Sequence, residues 1–449
     1  MAKQLFGTDG IRGVAGEYPL DPQTVHAFGA ALGRWCKSHT PSSQVLIGMD
    51  TRESGSAIAA QVAAGLALQG VRTRFAGLIS TPGVAHLTKE GDFAAGVMIS
   101  ASHNPYQDNG LKLFSHSGYK LPDQEEHALE QEILHLRGQL GPSPENMKSE
   151  WDWAERYLDH LASTFPARLD GMHLAVDCGH GAATHLAPAV LERLGARVSR
   201  IGCFPNGRNI NLDCGALHLE TLSRFVLETG AAAGFAFDGD ADRCIAVTAS
   251  GRVLDGDFLM LICARHMRAT GAWPRTDGPP TLVSTVMSNL GLEIALAESG
   301  IRMVRTAVGD KYVLEEMLRI QSPIGGEQSG HLIFSQHATT GDGLLTALRV
   351  LEVMAHTAAP LEELASGMNL FPQKLVNVRI KARKPLAELP SVAVQIQLAE
   401  KTLGADGRVL VRFSGTEPLA RVMVEGPTTE TVDQLTAQIA SAIQSEIGG

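Results

Sequence analysis

The chain has 449 residues, more than the roughly 250–300 residues that one hydrophobic core organises, so several domains are expected. Hydrophobic residues make up 44% of the chain and charged residues 19%, a balance that excludes a disordered or fibrous protein. Its 38 basic and 48 acidic residues give a net charge of −10, which argues against a nucleic-acid partner.

Three stretches share one pattern: an apolar strand, a helix, a glycine and a second strand. The first strands are predicted at 45–50, 173–177 and 281–286, and the glycines are Gly70, Gly195 and Gly300. This pattern is typical of βαβ units, in which a helix joins two parallel strands. Its repetition at domain-sized spacing predicts three similar α/β domains with mixed or parallel sheets.

The end of the chain has a different pattern. Strands are predicted at 409–413 and 420–424, followed by a helix at 431–447 with apolar residues at helical spacing. This pattern predicts a smaller α+β domain. Clusters of Gly, Pro and polar residues place the domains at 1–150, 151–253, 254–369 and 370–449.

A membrane span, a disulfide framework and a structural zinc site are not expected. No apolar run reaches the roughly 18 residues of a membrane span, and the N-terminus lacks the apolar segment of a signal peptide. The six cysteines are scattered without a Cys-x-x-Cys pair, which argues against a disulfide framework and a structural zinc site. A cytoplasmic protein without a membrane partner is predicted.

The segment Ser100–Pro105 follows an apolar strand predicted at 94–99. Ser102 therefore lies at the end of a strand, where open α/β sheets place their active sites. A serine hydroxyl is a weak nucleophile that needs a nearby base or a stored phosphate. Lys112 adds a cation and an acid–base candidate close by. A simple Ser-Asn turn is the alternative interpretation of this segment alone.

Asp238, Asp240 and Asp242 follow a strand-like segment at 233–237. Carboxylates at alternate positions repel one another unless a cation neutralises them, and oxygen ligands in a tight loop suit Mg²⁺. A solvated acidic turn is the alternative. An EF-hand is excluded because its sixth and twelfth positions need glycine and glutamate, whereas this loop has Arg243 and Ala249.

Two later segments contain groups that bind sugars or anions. In the glycine-flanked segment 325–331, Glu327 and Ser329 can hold sugar hydroxyls, and His331 can bind phosphate or move a proton. A plain turn is the alternative for that segment. The segment at 412–421 combines arginine side chains, hydroxyls and a glycine amide, the groups of a phosphate clamp, in Arg412, Ser414, Gly415, Thr416 and Arg421.

Taken together and in this order, these segments resemble the α-D-phosphohexomutase family over essentially the whole chain. The resemblance implies three similar α/β domains and a smaller α+β fourth domain around a central cleft. It implies that Ser102 is a phosphoserine and, with the three aspartates, a ligand of one Mg²⁺. Glu327 and Ser329 then bind the sugar, and the clamp residues hold the phosphate that is not reacting. The positions around the reacting groups are Arg12, Lys112, Arg243 and His331.

Within that family, the segment at 6–13 and Gln328 resemble the members that act on amino sugars. The implied reaction interconverts glucosamine 6-phosphate and glucosamine 1-phosphate through a sugar 1,6-bisphosphate, which also serves as primer. Members that act on mannose or glucose phosphates usually have methionine at the Gln328 position and a histidine near Asp310, and that activity is the alternative. Relatives of this kind are often homodimers, a state compatible with this chain.

The resemblance leaves the general base open between Lys112 and His331. A hinge at 367–372 is predicted because a bisphosphate must turn over in the cleft. Two other readings are a haloacid-dehalogenase-type phosphatase with Asp238 as nucleophile and a sugar-phosphate sensor without catalysis.

Overall fold

The computed structural model describes residues 4–7, 9–139, 152–274, 278–414 and 418–449. These residues fall into two compact units. The first unit extends to residue 287 and includes residues 300–366, and the second contains residues 288–299 and 367–449. Among the described residues, no helix combines the length and apolarity needed to cross a membrane.

The first part of the chain forms a six-stranded sheet with four helices. Its elements are β1 (Phe6–Gly7), β2 (Gly10–Val14), α1 (Pro22–His39), β3 (Gln44–Met49), α2 (Gly55–Leu68), β4 (Arg72–Leu78), α3 (Thr81–Glu90), β5 (Ala95–Ile99), β6 (Asp108–Ser115) and α4 (Asp123–Leu136). The strand order is β1-β2-β6-β5-β3-β4. Buried aliphatic side chains of α1, α2 and α4 form a core with those of the strands.

The second part forms a five-stranded sheet in the order β11-β10-β9-β7-β8. Its elements are α5 (Asp152–Ser163), β7 (His173–Asp177), α6 (Ala183–Arg193), β8 (Arg197–Ile201), α7 (Glu220–Thr229), β9 (Ala233–Phe237), β10 (Cys244–Thr248) and β11 (Val253–Leu254), with a 3₁₀ turn at Gly215–Leu217. Strand β9 is fully buried, which explains its unbroken apolar sequence.

The third part forms a four-stranded sheet in the order β13-β12-β14-β15. The elements of this part of the chain are α8 (Gly256–Ala269), β12 (Thr281–Thr285), α9 (Leu290–Glu298), β13 (Arg302–Thr306), α10 (Asp310–Ile320), β14 (Ile324–Gly326), β15 (Leu332–Phe334), α11 (Gly343–Thr357) and α12 (Leu361–Leu364).

One four-stranded arrangement occurs in all three sheets. The sets β4-β3-β5-β6, β8-β7-β9-β10 and β13-β12-β14-β15 each have three parallel strands and a fourth strand antiparallel to the third. The loop between third and fourth strands carries Ser102 in the first set, Asp238–Asp242 in the second and Glu327–His331 in the third. The prediction of three similar α/β domains with mixed sheets is confirmed.

The second unit is an antiparallel three-stranded sheet with helices. Its elements after the third part are β16 (Gln373–Arg379), α13 (Pro390–Leu403), β17 (Arg408–Phe413), β18 (Leu419–Glu425) and α14 (Thr429–Ile447), with a 3₁₀ turn at Leu386–Glu388. The strand order is β16-β18-β17, and buried residues of α13 and α14 complete the core. Helix α9 belongs to this unit, because the Leu290 N–H donates to Glu425 at 2.9 Å. The predicted α+β end of the chain is confirmed.

The hairpin of β1 and β2 is anchored by one buried carboxylate. Glu130 on α4 accepts the backbone N–H groups of Gln4, Leu5 and Phe6 at 2.9, 2.7 and 3.0 Å. Burial alone would raise the pKa of Glu130, but these three donors hold that pKa below its ordinary value of 4.5. Glu130 therefore fixes the segment that leads to Asp9 and Arg12.

We expect Glu130→Gln to loosen this segment, because charge-assisted hydrogen bonds contribute about 1.5–3 kcal/mol each. The amides of residues 4–6 should exchange faster with deuterium at pH 7. Since the folded-state pKa of Glu130 is lowered, its contribution is present above pH 4.5 and is lost as the pH falls through the folded-state pKa. As the pH falls through that pKa, the difference in amide exchange between the variant and the unmodified protein should therefore shrink. Glu132→Gln, which changes a surface pair with Arg34 on the same helix, is the matched control.

Candidate active site

Ser102 is held in an unusual backbone conformation at the end of β5. Its φ is +53°, in the left-handed region that residues other than glycine seldom adopt. The Ser102 N–H donates to the Ser100 hydroxyl at 2.9 Å, and its carbonyl accepts from Arg52 and Asn211, each at 2.9 Å. These bonds fix the direction of the Ser102 side chain, whose hydroxyl donates to Asp238 Oδ2 at 2.5 Å.

Arg52 organises the loop that follows Ser102. Its fully buried guanidinium donates to the carbonyls of Ser102, Asn104, Pro105 and Asp108. Its Nε also donates to Asp50 Oδ2 at 2.9 Å, and Asp50 in turn accepts the Ser100 hydroxyl at 2.6 Å. Burial raises the pKa of Asp50, although Arg52 opposes that shift. The planar fork of arginine suits this task because it offers several donors in fixed directions.

Asp238, Asp240 and Asp242 converge beside this loop. Each offers a carboxylate oxygen within 4.8 Å of the other two, and all three side chains are buried. Gly239 allows the approach, since a Cβ on it would lie 2.5 Å from the Ser102 carbonyl oxygen. Among the described residues this is the one group of three or more candidate ligands with such spacing.

A buried lysine neutralises this cluster. Lys112 Nζ on β6 lies 2.7 Å from Asp240, 3.1 Å from Asp242 and 3.0 Å from Asp9. Burial lowers the pKa of Lys112, but the three carboxylates outweigh burial and raise that pKa well above its ordinary value. Lys112 is therefore a firmly held cation.

The pKa values of the two outer aspartates are shifted in opposite directions. Burial, followed by the charges of Asp242 and Asp240, raises the pKa of Asp238 well above its ordinary range. Burial acts in the same direction on Asp242, but Lys112, His331 and Arg243 together hold its pKa well below that range.

The triad keeps acceptor atoms available for a cation. Asp240 Oδ1 and Asp242 Oδ1 are buried and have no hydrogen-bond partner. A buried carboxylate oxygen without a donor is costly, and a hard divalent cation with oxygen ligands removes that cost. The residues present therefore fit a Mg²⁺ ion.

A cleft of about 390 Å³ opens next to the triad. Side chains of both charges line it, including Asp9, Arg12, His103, Asp242, Arg243, Asp310, Glu327 and His331. Arg12 pairs with Asp9, and Lys120 bridges Asp9 and Asp310 at 2.5 Å each. These ion pairs thus link the first and third repeats beside the cleft.

His331 lies deep in this cleft. Burial lowers its pKa, while Asp242 and Asp310 raise it by more. However, the Gly341 N–H donates to His331 Nε2 at 3.1 Å, which requires that nitrogen to be unprotonated. We assign a neutral ring with the proton on Nδ1, which faces Asp242 Oδ1 at 3.7 Å.

Glu327 lines this cleft, and Ser329 lies two residues further along the same loop. Glu327 Oε1 accepts the Gly309 N–H at 3.1 Å, and the exposed Ser329 hydroxyl lies 3.4 Å from Glu327 Oε2. Gln328 instead donates to Asp255 at 3.1 Å and is not among the cleft residues.

The predicted clamp lies in the second unit. Arg412 on β17 and Arg421 on β18 face each other in the antiparallel pair. Burial and the charge of Arg421 lower the pKa of Arg412. Like charges placed opposite one another are unfavourable, and an anion between them relieves the repulsion. Ser414 is buried beside them at the end of β17, whereas Gly415 and Thr416 lie outside the described residues.

Sequence patterns do not reveal several contributors to this site. Thr81 donates to Asp240 from the first turn of α3, and Lys120 and Asn211 come from segments without a motif. His103 Nδ1 lies 3.3 Å from Ser102 Oγ. Burial, Arg243 and Arg12 lower the His103 pKa to about 4, so the ring is neutral at pH 7.

Family models of phosphoglucomutase/phosphomannomutase match four successive parts of the chain. The α/β/α domains I, II and III match residues 3–138, 155–251 and 255–371, and the C-terminal domain matches residues 375–442. The chain belongs to the phosphoglucomutase/phosphomannomutase family. The resemblance predicted from the motifs is therefore confirmed.

Two similar relatives matched over their full length are phosphoglucosamine mutases. The chain is 57% identical over 449 residues to a phosphoglucosamine mutase of Solibacter usitatus, with 100% of both chains covered. It is 46% identical to that of Koribacter versatilis, covering 99% of this chain and 98% of the relative.

Solved structures of the family share the fold. A phosphoglucomutase/phosphomannomutase family protein from Burkholderia thailandensis matches with a TM-score of 0.81 at 22% identity, over 98% of this chain and 99% of that one. The N-acetylphosphoglucosamine mutase of Aspergillus fumigatus, solved with GlcNAc-6P and magnesium, matches with a TM-score of 0.64 at 18% identity, over 98% and 96%.

The role of Arg52 leads to a prediction about stability. Arg52→Met leaves Asp50 as a buried charge without its partner, which we expect to lower the free energy of unfolding by about 3–5 kcal/mol. The double variant Asp50→Asn/Arg52→Met removes that charge and should recover part of the loss in urea unfolding. Faster exchange of the 102–108 amides should persist in both variants. As a control, Arg34→Met, which removes a surface ion pair with Glu132, should lower the free energy of unfolding by less than about 1 kcal/mol. A double variant no more stable than the single one would contradict this account.

The triad predicts metal-dependent stability. We expect Mg²⁺ to raise the midpoint of thermal unfolding, since a ligand at 100 times its Kd stabilises the folded state by about 2.7 kcal/mol. Asp242→Asn should abolish this rise and the heat of Mg²⁺ binding in calorimetry. Asp170→Asn, which alters an exposed pair with Arg168, should keep both. An unchanged Mg²⁺ response in Asp242→Asn would rule out the triad as the site.

Proposed function

We propose that the protein interconverts glucosamine 6-phosphate and glucosamine 1-phosphate through a phosphoserine at Ser102. The observation that carries this proposal is the 2.5 Å contact between Ser102 Oγ and Asp238, within a triad of buried aspartates that fits Mg²⁺. The choice of amino sugar is supported by full-length relatives named phosphoglucosamine mutase, at 57% and 46% identity. The product would feed the synthesis of amino-sugar nucleotides and cell-wall precursors.

The reaction consists of two phosphoryl transfers. In the first, the 1-hydroxyl oxygen of glucosamine 6-phosphate bonds to the phosphorus on Ser102 while the Ser102 Oγ–P bond breaks. The sugar hydroxyl gives up its proton, and Ser102 Oγ regains one. In the second, after the bisphosphate has turned over, Ser102 Oγ bonds to the 6-phosphorus while the bond between that phosphorus and the sugar 6-oxygen breaks. Ser102 gives up its hydroxyl proton, the sugar 6-oxygen regains one, and glucosamine 1-phosphate leaves. A sugar 1,6-bisphosphate serves as primer, and the first phosphate on Ser102 comes from this primer, from a kinase or from autophosphorylation.

Asp238, Asp240 and Asp242, with an oxygen of phosphorylated Ser102, would hold one Mg²⁺. When bound, this ion supplies positive charge that stabilises the phosphoryl group in transfer. Asp238 holds the hydroxyl proton of the unphosphorylated Ser102 in the present structure. Arg12 and Arg243 line the adjacent cleft and are suited to bind the other phosphoryl oxygens.

Lys112 and His331 remain the candidates for acid–base work. Lys112 is protonated among three carboxylates, so it is suited to donate a hydrogen bond or a proton to an oxygen of the substrate. The Nε2 lone pair of His331 is occupied by the Gly341 N–H. A base role for either therefore requires an exchange of contacts when the sugar binds.

Glu327 and Ser329 are proposed to bind sugar hydroxyls. Arg412, Ser414, Gly415, Thr416 and Arg421 are proposed to bind the phosphate that is not reacting. The like charges of Arg412 and Arg421 support this assignment, because two opposed guanidinium groups favour an anion.

Four further features stay predictions from sequence. They are the domain boundaries at 150, 253 and 369, the hinge at 367–372, a homodimer and a cytoplasmic location.

The test compares kcat/KM for glucosamine 6-phosphate, glucose 6-phosphate and mannose 6-phosphate, with Mg²⁺ and a trace of bisphosphate primer. We expect the amino sugar to be preferred and Ser102→Ala to lose essentially all turnover. Ser56→Ala, which alters an exposed hydroxyl near Met49, should keep normal rates.

Other outcomes discriminate between the alternatives. Equal or better use of glucose or mannose phosphate would assign the alternative substrate within the family. A phosphoenzyme whose phosphate hydroxylamine removes would indicate an acyl phosphate on Asp238 rather than phosphoserine. Binding of the sugar phosphate without turnover would favour a sensor.

A further inference from the structure

Two cysteines meet at the ends of neighbouring strands in the second sheet. Cys178 follows β7 directly, and Cys203 lies two residues after the end of β8, the parallel partner of β7. The Cys178 N–H and the Cys203 thiol both donate to the Ile201 carbonyl, each at 3.2 Å. The His180 N–H also donates to the Gly202 carbonyl at 2.6 Å, so the backbone segments that carry the two cysteines are paired. The two cysteines, called here the thiol pair, therefore adjoin at one shared carbonyl acceptor.

The two thiols have different surroundings. All six cysteines lie in the described part of the chain, and among them Cys203 alone is partly exposed. The hydrogen bond from Cys178 lowers the pKa of Cys203 despite burial, and Arg200 adds to that effect. The same hydrogen bond and burial raise the pKa of Cys178 well above its ordinary value. An accessible thiol that ionises readily beside a buried thiol is the arrangement of an oxidisable cysteine with a resolving partner.

The loops that carry the pair also support the Ser102 segment. The Thr51 hydroxyl donates to the His180 carbonyl at 2.5 Å, and the Glu53 N–H donates to the Gly207 carbonyl at 3.0 Å. Asn211, whose N–H donates to Gly179 at 2.8 Å, donates its side-chain amide to the Ser102 carbonyl at 2.9 Å. If the loops that carry Cys178 and Cys203 move, Asn211 therefore moves with them. Its hydrogen bond to the Ser102 carbonyl then changes, and this bond helps to fix the backbone of the proposed nucleophile.

We propose that Cys203 and Cys178 form a reversible disulfide in response to hydroperoxides and that this bond lowers the activity of the Ser102 site. The Cys203 thiolate attacks one oxygen of hydrogen peroxide, so an S–O bond forms, the O–O bond breaks and hydroxide leaves. The Cys178 sulfur then attacks the Cys203 sulfur, an S–S bond forms, and the hydroxyl group leaves as water with the Cys178 proton. Both sulfurs are oxidised and the peroxide is reduced.

The effect on activity follows from geometry and depends on the proposed function. A disulfide draws the sulfurs to about 2.05 Å, closer than a hydrogen-bonded contact, and moves the two loops together. A misplacement of 1 Å at a catalytic group costs up to about 10²-fold in rate, so we expect kcat to fall by about tenfold.

The experiment treats the reduced, full-length protein with hydrogen peroxide and analyses it by peptide mass spectrometry and by turnover. We expect a linked peptide pair containing Cys178 and Cys203, unmodified thiols at the other four cysteines, and recovery of both thiols and activity with dithiothreitol. Cys178→Ala should accumulate a sulfenic acid on Cys203 that dimedone traps. Cys203→Ser, which retains a donor toward Ile201, should resist inactivation. Cys214→Ser, at a buried thiol outside the pair, should behave like the unmodified protein.

Each contrary outcome has a distinct meaning. No linkage, or linkage of other cysteines, would overturn the proposal. A Cys178–Cys203 linkage without a change in turnover would overturn its regulatory part. A reduced protein without mutase turnover would instead refute the proposed function, and the mass measurement would still decide whether the thiol pair is oxidised.

Discussion

The interaction on which this site depends is the burial of one lysine among three carboxylates. Lys112 is 1% exposed, and its Nζ contacts Asp240 and Asp242 of the second repeat and Asp9 of the first. Removing one member of a buried ionic group costs about 3–5 kcal/mol, because the remaining charges lose their compensation. The positions of the β1–β2 hairpin, β6 and the acidic loop are therefore linked by a single ammonium group.

This ionic group extends beyond Lys112. Asp9 is shared with Arg12 and Lys120, and Lys120 continues to Asp310 in the third repeat. Neighbouring charges thus have alternating signs across three sheets, which lets many ionisable groups lie close together in one cleft. The alternation also explains how an acidic protein can present cations to an anionic substrate: the positive groups are concentrated where negative side chains hold them.

Much of the fold could be predicted from apolar patterns, since buried parallel strands are continuous apolar runs and helices keep a period of 3.6 residues. Ser102 and the aspartates could be recognised because they follow such strands in short motifs. Thr81, Lys120 and Asn211 could not, because they are common polar residues whose partners lie more than 100 positions away. The strong cationic character of Lys112 also needed the structure, since it arises from burial and three separate carboxylates.

The repeated sheet has a consequence for how this site can change. Each of the three functional loops begins and ends on an antiparallel pair of strands, and the strands around each pair have the same order. The ends of a loop are thus fixed by backbone hydrogen bonds that do not depend on its side chains. A loop can therefore change in sequence while the strands on either side of it keep their register. Substitutions in the loop at 327–331, which we propose to bind the sugar, can thus alter specificity while the strands that carry Ser102 and the aspartates stay in place.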